Sequence, residues 1–114
     1  MDTFEMTLLF DYYGELLTPR QRMCFDLRYN QDMSLSEIAE ELQVSRQGVY
    51  DNLSRAEALL RNMENKTGLL SRDLRVLKAI RLVEDAAGRL AANEDSEVSA
   101  LGQQILSAVQ GIGV

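Results

Sequence analysis

The chain has 114 residues, of which 46% are hydrophobic and 26% charged, and its formal net charge at neutral pH is −6. These values favour one globular domain with an extension and exclude a low-complexity chain. Because histidine is absent and only one cysteine is present, imidazole bases, thiolate metal sites and an internal disulfide bond are excluded.

The sequence shows no signal peptide and no long apolar run, so we expect a cytoplasmic, reduced protein. The thiol of Cys24 lies within an apolar helical stripe and is expected to be buried. No glycine-rich phosphate loop is present, and adjacent carboxylates such as Glu40 and Glu41 are typical of solvated helix faces. We therefore expect no enzymatic activity, no cofactor and no metal site.

A first helix is predicted over residues 3–17, because Thr3 can cap it and apolar residues follow at helical spacing. Its expected core face consists of six side chains: Phe4, Leu8, Leu9, Tyr12, Tyr13 and Leu16. The segment carries carboxylates and no basic residue, so this helix should face away from any nucleic acid.

A second helix is predicted to begin at Pro19. Thr18 can cap it, proline suits the first helical position, and Gln21 can reach back to the cap. The polar run 30–32 is expected to end this helix.

The chain is organised around residues 34–56, which predict a short helix, a tight turn and a longer helix. Ser34 and Glu37 have the spacing of a capping box for a helix over 35–42. Val44 is expected to be the apolar plug of the turn.

Ser45 is the predicted N-cap of a longer helix over 46–64. The buried stripe of that helix is expected to contain Val49, Leu53, Ala56, Leu60 and Met63. This layout is a helix-turn-helix, whose second helix offers its first polar side chains to a nucleic-acid groove.

Six residues at the start of this helix are the candidate nucleic-acid contacts: Ser45, Arg46, Gln47, Tyr50, Asp51 and Arg55. Arg46 and Gln47 suit bidentate contacts to guanine and adenine, although both can also be merely solvated. Tyr50 can contact phosphate or base through its hydroxyl, or pack sideways on the second helix. Arg55 can contact phosphate, or pair with Asp51 one turn earlier.

Residues 35–46 resemble the helix-turn-helix of sigma-factor region four. Residues 45–53, together with 10–13 and 17–22, make the stretch 5–68 resemble the YlxM family. Members of that family are small bacterial proteins associated with the signal recognition particle.

The resemblance implies an all-α fold, with a sigma-region-four-like tetrahelical helix-turn-helix domain over residues 1–66. We also describe this domain as winged-helix-like. Gln43 stands where a sigma-like turn usually has glycine, and a left-handed conformation there costs ~1–2 kcal/mol. Asn52 stands where sigma recognition helices usually place an apolar residue.

Residues 69–114 are predicted to form a helical extension for dimerisation or interaction. A fifth helix is expected near 72–92, starting from Ser71 or Thr67, and a last, weaker helix near 98–112. Because the apolar stripes exceed what a three-helix motif can cover, we predict a homodimer.

Residues 18–62 carry six arginines against seven carboxylates, a net charge of −1. Binding to DNA or RNA is therefore expected to be weak, unless Arg20, Arg22, Arg46 and Arg55 converge on one face. The resemblance to YlxM implies a regulatory protein near the signal recognition particle. The alternatives are an adaptor of the particle's GTPase without free DNA binding, and a structural helical dimer.

Overall fold

The structure, a computed structural model, describes residues 3–112, which form six α-helices and contain no β-strand. The helices are α1 (Thr3–Tyr13), α2 (Pro19–Phe25), α3 (Leu35–Leu42), α4 (Arg46–Thr67), α5 (Leu69–Ala91) and α6 (Ser96–Gln110). The predicted all-α fold class is confirmed. A winged helix carries a β-hairpin beside its helices, so the winged-helix-like description is not supported over these residues.

The chain divides into two compact units, Met1–Leu70 and Ser71–Val114. The first contains the helix-turn-helix, and the second contains most of α5 and all of α6. The separate roles expected for residues 1–66 and 69–114 stay a prediction. None of the helices within residues 3–112 is long and apolar enough to cross a membrane.

A cluster of buried apolar side chains forms the core of the first unit. The side chains that α1 contributes are Met6, Leu9 and Tyr13. The predicted core face of α1 is wrong at Phe4, Tyr12 and Leu16, which are 66%, 40% and 54% exposed. This helix is apolar nearly all round, so spacing alone does not select the stripe that faces inward.

The start of α2 has the predicted capping box. The Thr18 hydroxyl accepts from the Gln21 N–H at 3.1 Å, and Gln21 Oε1 accepts from the Thr18 N–H at 3.0 Å. After Phe25 the helix widens into one π-helical turn, Asp26–Asn30, before the chain turns towards α3.

Cys24 and Phe25 are fully buried, as predicted for the thiol. Phe25 stacks on Phe10 with ring centroids 4.8 Å apart, and its centroid lies 4.5 Å from that of Tyr29. Burial raises the pKa of the Cys24 thiol, which disfavours the reactive thiolate.

Tyr13 joins α1 to the end of α4. Its hydroxyl donates to Glu64 Oε1 at 2.7 Å and also contacts the Thr67 hydroxyl. Glu64 Oε1 accepts a further hydrogen bond from the Leu70 N–H at 3.0 Å. Gly68, with φ of 64°, ends α4 in the left-handed conformation.

The second unit pairs α5 with α6. The structure starts α5 at Leu69, whose N–H donates to the Thr67 hydroxyl at 3.3 Å, so Thr67 is the better of the two predicted starts. Asp95 caps α6 by accepting from the N–H of Glu97 at 2.9 Å. The break predicted between the two helices is therefore present, and α6 begins slightly before its predicted range.

Gly102 brings α5 and α6 into close contact. A Cβ at this position would lie 2.3 Å from the Ala91 nitrogen and 2.7 Å from the Ala87 carbonyl oxygen. Beside it, the Ser99 hydroxyl donates to the Ala91 carbonyl at 2.7 Å. The glycine that weakens α6 by helix propensity is therefore the residue that lets the two helices pack.

Candidate nucleic-acid interface

The first helix of the motif, α3, is fixed by its own sequence. The Ser34 hydroxyl accepts from the Glu37 N–H at 3.1 Å, and Glu37 Oε1 accepts from the Ser34 N–H at 3.0 Å. The hydrogen bond from the Ser34 backbone, followed by that with its side chain, lowers the pKa of Glu37. The predicted capping box is confirmed, and Ile38 in the middle of α3 is fully buried.

The turn between the two helices depends on Gln43, which has the left-handed values φ 56° and ψ 47°. The Val44 N–H donates to the Ala39 carbonyl at 3.0 Å and so satisfies the end of α3. Val44 itself is 37% exposed, so the prediction that it plugs the turn is wrong. The buried side chain from the middle of α3 is instead that of Ile38.

Ser45 opens α4, since its hydroxyl accepts from the Gly48 N–H at 2.9 Å. A Cβ on Gly48 would lie 3.1 Å from the Ser45 oxygen, so glycine leaves room for this cap. Asn52 Nδ2 donates to the Gly48 carbonyl at 2.9 Å. The polar residue at position 52 thus bonds back one turn where sigma helices place an apolar side chain.

The buried side chains of α4 set its rotation. They are Val49, Leu53, Ala56 and Leu60, as predicted, with Met63 half-buried. At ~100° per residue the opposite side of the helix carries Gln47, Asp51 and Arg55, all of which are exposed. We call the exposed side of α4, from Arg46 to Arg55, the α4 face.

Arg46 is exposed at the first position of α4 and forms no hydrogen bond or ion pair with another residue of the range 3–112. Gln47 is exposed, but its Nε2 donates to Asp51 Oδ1 at 3.0 Å. The Gln47 amide retains a second N–H and its carbonyl oxygen for a ligand. At the leading turn, only the guanidinium group is therefore wholly available.

The predicted alternative of an Asp51–Arg55 pair is not what the described residues show, because the carboxylate bonds to Gln47 instead. Arg55 is exposed and lies nine positions after Arg46, about 180° around the helix. The two guanidinium groups therefore flank the line through Gln47 and Asp51. This spacing suits contacts to the two walls of one groove.

Tyr50 is 55% exposed. It lines a shallow pocket together with Arg28, Tyr29 and other residues, which places one side of its ring beside the π-helical turn. Its hydroxyl bonds to no other residue in the part of the chain that the structure describes. Both predicted roles of Tyr50 therefore stay predictions, namely sideways packing on the second helix and contact of its hydroxyl with phosphate or base.

Two further arginines are held by backbone carbonyls. Arg22 donates to the carbonyls of Glu15 and Leu17 at 3.3 and 3.5 Å, and Arg28 donates to that of Met33 at 2.9 Å. Arg22 is therefore engaged in the fold of its own unit. The convergence of four arginines expected from the sequence is not supported at this position.

Two contacts of the α4 face escaped the sequence analysis. The Gln47–Asp51 and Gly48–Asn52 bonds both join residues four apart, which is a spacing at which helical side chains meet. The four-residue spacing is the feature of the sequence that could have predicted both bonds. Because of these bonds, the middle of the α4 face is already hydrogen-bonded in the absence of a ligand.

Across residues 3–112, no three of the histidine, cysteine, aspartate and glutamate side chains lie close enough to hold a metal ion. Within the same range, every buried side-chain nitrogen or oxygen has a hydrogen-bond partner.

Comparison with known proteins connects this geometry to a family. Residues 1–98 match the family UPF0122, described as "Putative helix-turn-helix protein, YlxM / p13 like". The match extends beyond residues 5–68, on which the resemblance to YlxM rests, and confirms that prediction.

Individual relatives agree over most of their length. The chain is 38% identical over 114 residues to a UPF0122 protein of Thermoanaerobacter sp. (strain X514), covering 99% of this chain and 97% of the relative. It is 44% identical over 103 residues to one of Geobacillus kaustophilus, covering 90% and 93%. It is 49% identical over 88 residues to one of Acetivibrio thermocellus, covering 71% and 75%.

Proposed function

The chain belongs to the UPF0122 family of YlxM-like helix-turn-helix proteins, and we propose that it is a non-enzymatic regulatory protein that binds nucleic acid through the α4 face. One observation carries the proposal. The first turn of α4, capped by Ser45, presents the exposed and unpaired Arg46, while Val49 and Leu53 hold the helix from behind.

Each residue of the face then has a role. Arg46 and the remaining polar atoms of Gln47 contact base edges, and Arg55 contacts phosphate on the other side of the groove. Tyr50 adds a hydroxyl contact at the edge of the face. Ser45 serves first as the cap and contacts phosphate second. Asp51 limits the affinity, since it is the carboxylate nearest the middle of the face.

The test is Arg46→Ala, measured by fluorescence anisotropy with mixed-sequence DNA and RNA duplexes. Loss of a charge-assisted contact worth roughly 1.5–3 kcal/mol should weaken binding by ~10- to 150-fold. Lys66→Ala, in the last turn of α4, is the control because it removes the same charge. An equal loss in both variants, or no binding at about 50 mM salt, would contradict the proposal.

A second function is supported by charge. Residues 1–70 carry seven basic and twelve acidic side chains, a net charge of −5. Such a surface favours a basic protein or a ribonucleoprotein as partner. With the resemblance to YlxM, we propose an adaptor role in the signal recognition particle pathway, through the particle's GTPase.

Pull-down separates the two functions. Immobilised protein is offered the GTPase alone, the particle RNA alone, and the two together. Retention of the GTPase in the absence of RNA supports the adaptor role. Retention of the GTPase only when the RNA is present supports nucleic-acid binding through the α4 face. If neither is retained, the adaptor proposal is overturned.

We further propose that the protein is a homodimer, formed through the second unit. Among its described residues, Ala87 is the only apolar side chain that is fully buried. A hairpin of two helices is too small to bury a core by itself, and a second copy completes a four-helix bundle.

Exposed apolar stripes identify the surface. In α5 the stripe consists of Val76, Val83 and Leu90, and in α6 of Leu101 and Ile105, with Ile112 two positions after the end of that helix. Because the two helices are antiparallel, helical geometry places both stripes on the same side of the hairpin.

A further inference from the structure

The first half of α5 carries four cations at successive three-residue intervals. They are Arg72, Arg75, Lys78 and Arg81, which we call the basic ladder. All four are exposed, and none forms a hydrogen bond or ion pair with another of the residues that the structure describes. The ladder therefore has no role in holding the fold together by paired charges.

The sequence around the ladder makes this arrangement unfavourable for the helix alone. Residues three apart on a helix are neighbours, and like charges at that spacing repel. Arg75 and Lys78 have no carboxylate three or four positions away on either side. A helix selected for stability alone would place glutamate or aspartate there, so the repulsion points to an anionic ligand.

Most of the ladder also lies on the side of α5 that is exposed for contact with a ligand. Three-residue steps turn by about 60° each, so the four cations sweep around half of the helix over roughly 14 Å. Lys78, near the middle, is nine positions from the buried Ala87 and therefore about 180° from it. Arg75 and Arg81 lie about 120° from Ala87, so these three cations are on the side of α5 that faces away from it, while Arg72 lies about 60° from it.

We propose that the basic ladder binds the phosphate backbone of nucleic acid, as a contact surface separate from the α4 face. The α4 face carries Asp51 among its cations, and residues 1–70 have a net charge of −5. The segment 72–81, in contrast, holds four cations and one carboxylate, Asp73. Backbone contacts of this kind supply affinity without sequence specificity.

The pattern favours nucleic acid over a membrane surface. A helix that lies in the lipid interface keeps a broad apolar face bordered by cations. In the ladder the four cations are spread across the exposed side of α5, and Leu74 and Leu82 lie singly among them. The apolar stripe of α5 lies to one side of the ladder, where the second copy is proposed to cover it.

The experiment compares two lysine variants that remove the same charge. Lys78→Gln lies in the ladder, and Lys66→Gln lies at the end of α4. Affinity for mixed-sequence DNA and RNA duplexes is measured by anisotropy over a series of salt concentrations. We expect Lys78→Gln to reduce the slope of log K against log salt by ~0.9 on DNA, and Arg75→Gln/Lys78→Gln by ~1.8. Lys66→Gln should leave the slope unchanged.

Thermal unfolding of the same variants controls for folding. Removing like charges should leave the melting temperature of Arg75→Gln/Lys78→Gln equal to or above that of the unmodified protein. A slope unchanged in the double variant, or reduced equally in Lys66→Gln, would overturn the proposal. So would binding of anionic phospholipid vesicles, lost in the double variant, when the duplexes are not bound.

Arg46→Ala in the same assay separates this proposal from that for the α4 face. If the ladder variants lose salt-dependent affinity while Arg46→Ala does not, the ladder is supported and the α4 face is contradicted. If only Arg46→Ala loses affinity, the ladder is overturned and the α4 face is supported.

Discussion

Asp51 occupies the middle of the α4 face, where its carboxylate accepts from Gln47 Nε2 at 3.0 Å. A carboxylate at this place repels phosphate and also holds the amide that is proposed to contact a base. We therefore expect Asp51→Ala to tighten nucleic-acid binding. Relief of one repulsion worth roughly 1 kcal/mol corresponds to about a fivefold lower Kd, measured by anisotropy on a mixed-sequence duplex.

Asp11→Ala is the matched control for Asp51→Ala. Asp11 is an exposed carboxylate on α1, which is expected to face away from nucleic acid. Its removal changes the net charge equally but should alter the Kd much less. Weaker binding by Asp51→Ala would show instead that the carboxylate orients Gln47 or accepts from a base, and would contradict the repulsive role.

Gln43 is strained for a residue with a side chain, since its φ is 56°. We expect Gln43→Gly to raise the free energy of unfolding by about 1 kcal/mol, because glycine adopts this conformation without steric cost. Denaturant unfolding measures the change. Glu40→Gly, inside α3, should lower the same free energy by about 1 kcal/mol. A Gln43→Gly protein that is also destabilised would show that the Gln43 side chain contributes more than its strain.

At the scale of the helices, the residues at which a helix begins could be predicted from the sequence more reliably than the face that it buries. Three helices begin after a capping residue whose side chain accepts a hydrogen bond from the backbone N–H three positions later, and these residues are Thr18, Ser34 and Ser45. Such a contact can be predicted from a short stretch of sequence. The inward face of α1 depends on which of its many apolar side chains meets the rest of the core, which local sequence does not specify. Glycine disfavours a helix by propensity, whereas the role of Gly102 is set by its contact with residues of α5 eleven or more positions earlier in the chain.

The contrast between Gly102 and Gly88 tests the packing of α5 on α6. A Cβ on Gly102 meets backbone atoms of α5, while one on Gly88 meets nothing within 4 Å. We expect Gly102→Ala to destabilise the second unit by ~1–3 kcal/mol through overpacking. Gly88→Ala should stabilise α5 by up to about 1 kcal/mol.

Thermal unfolding followed by circular dichroism measures both glycine variants. The melting temperature should fall for Gly102→Ala and rise for Gly88→Ala. If Gly102→Ala melted as the unmodified protein does, the close approach of the two helices would not contribute to stability.

At the scale of the molecule, the sequence predicts where charged side chains lie in the fold better than it predicts whether they are paired. Sequence placed Gln47 and Arg55 on the exposed side of α4, because the buried stripe that fixes the rotation is regular, and Arg46 at the first position of the helix. The sequence did not establish that Arg22 is engaged, because its partners are backbone carbonyls seven and five positions earlier, whereas the Gln47–Asp51 bond has a spacing that could have predicted it. The net charge of the chain likewise gives no indication of the basic ladder, because acidic residues elsewhere in the chain outnumber its four cations.

The homodimer is the prediction that belongs to the whole molecule. The second unit leaves Leu101 and Ile105 58% and 38% exposed, and burying such side chains against a second copy removes apolar surface from water. We expect light scattering at micromolar concentration to give twice the mass of the chain. Leu101→Glu should shift it to the monomer, because a charge at the centre of a buried interface is costly.

Gln103→Glu on the same helix is the charge-matched control and should remain dimeric, since Gln103 is exposed and lies two positions from both Leu101 and Ile105, about 160° around the helix from each. Circular dichroism establishes that Leu101→Glu keeps its helices, so that a change of mass reports on association. A monomeric mass for the unmodified protein would contradict the dimer. The stripes of α5 and α6 would then have to be explained by contact with a different protein.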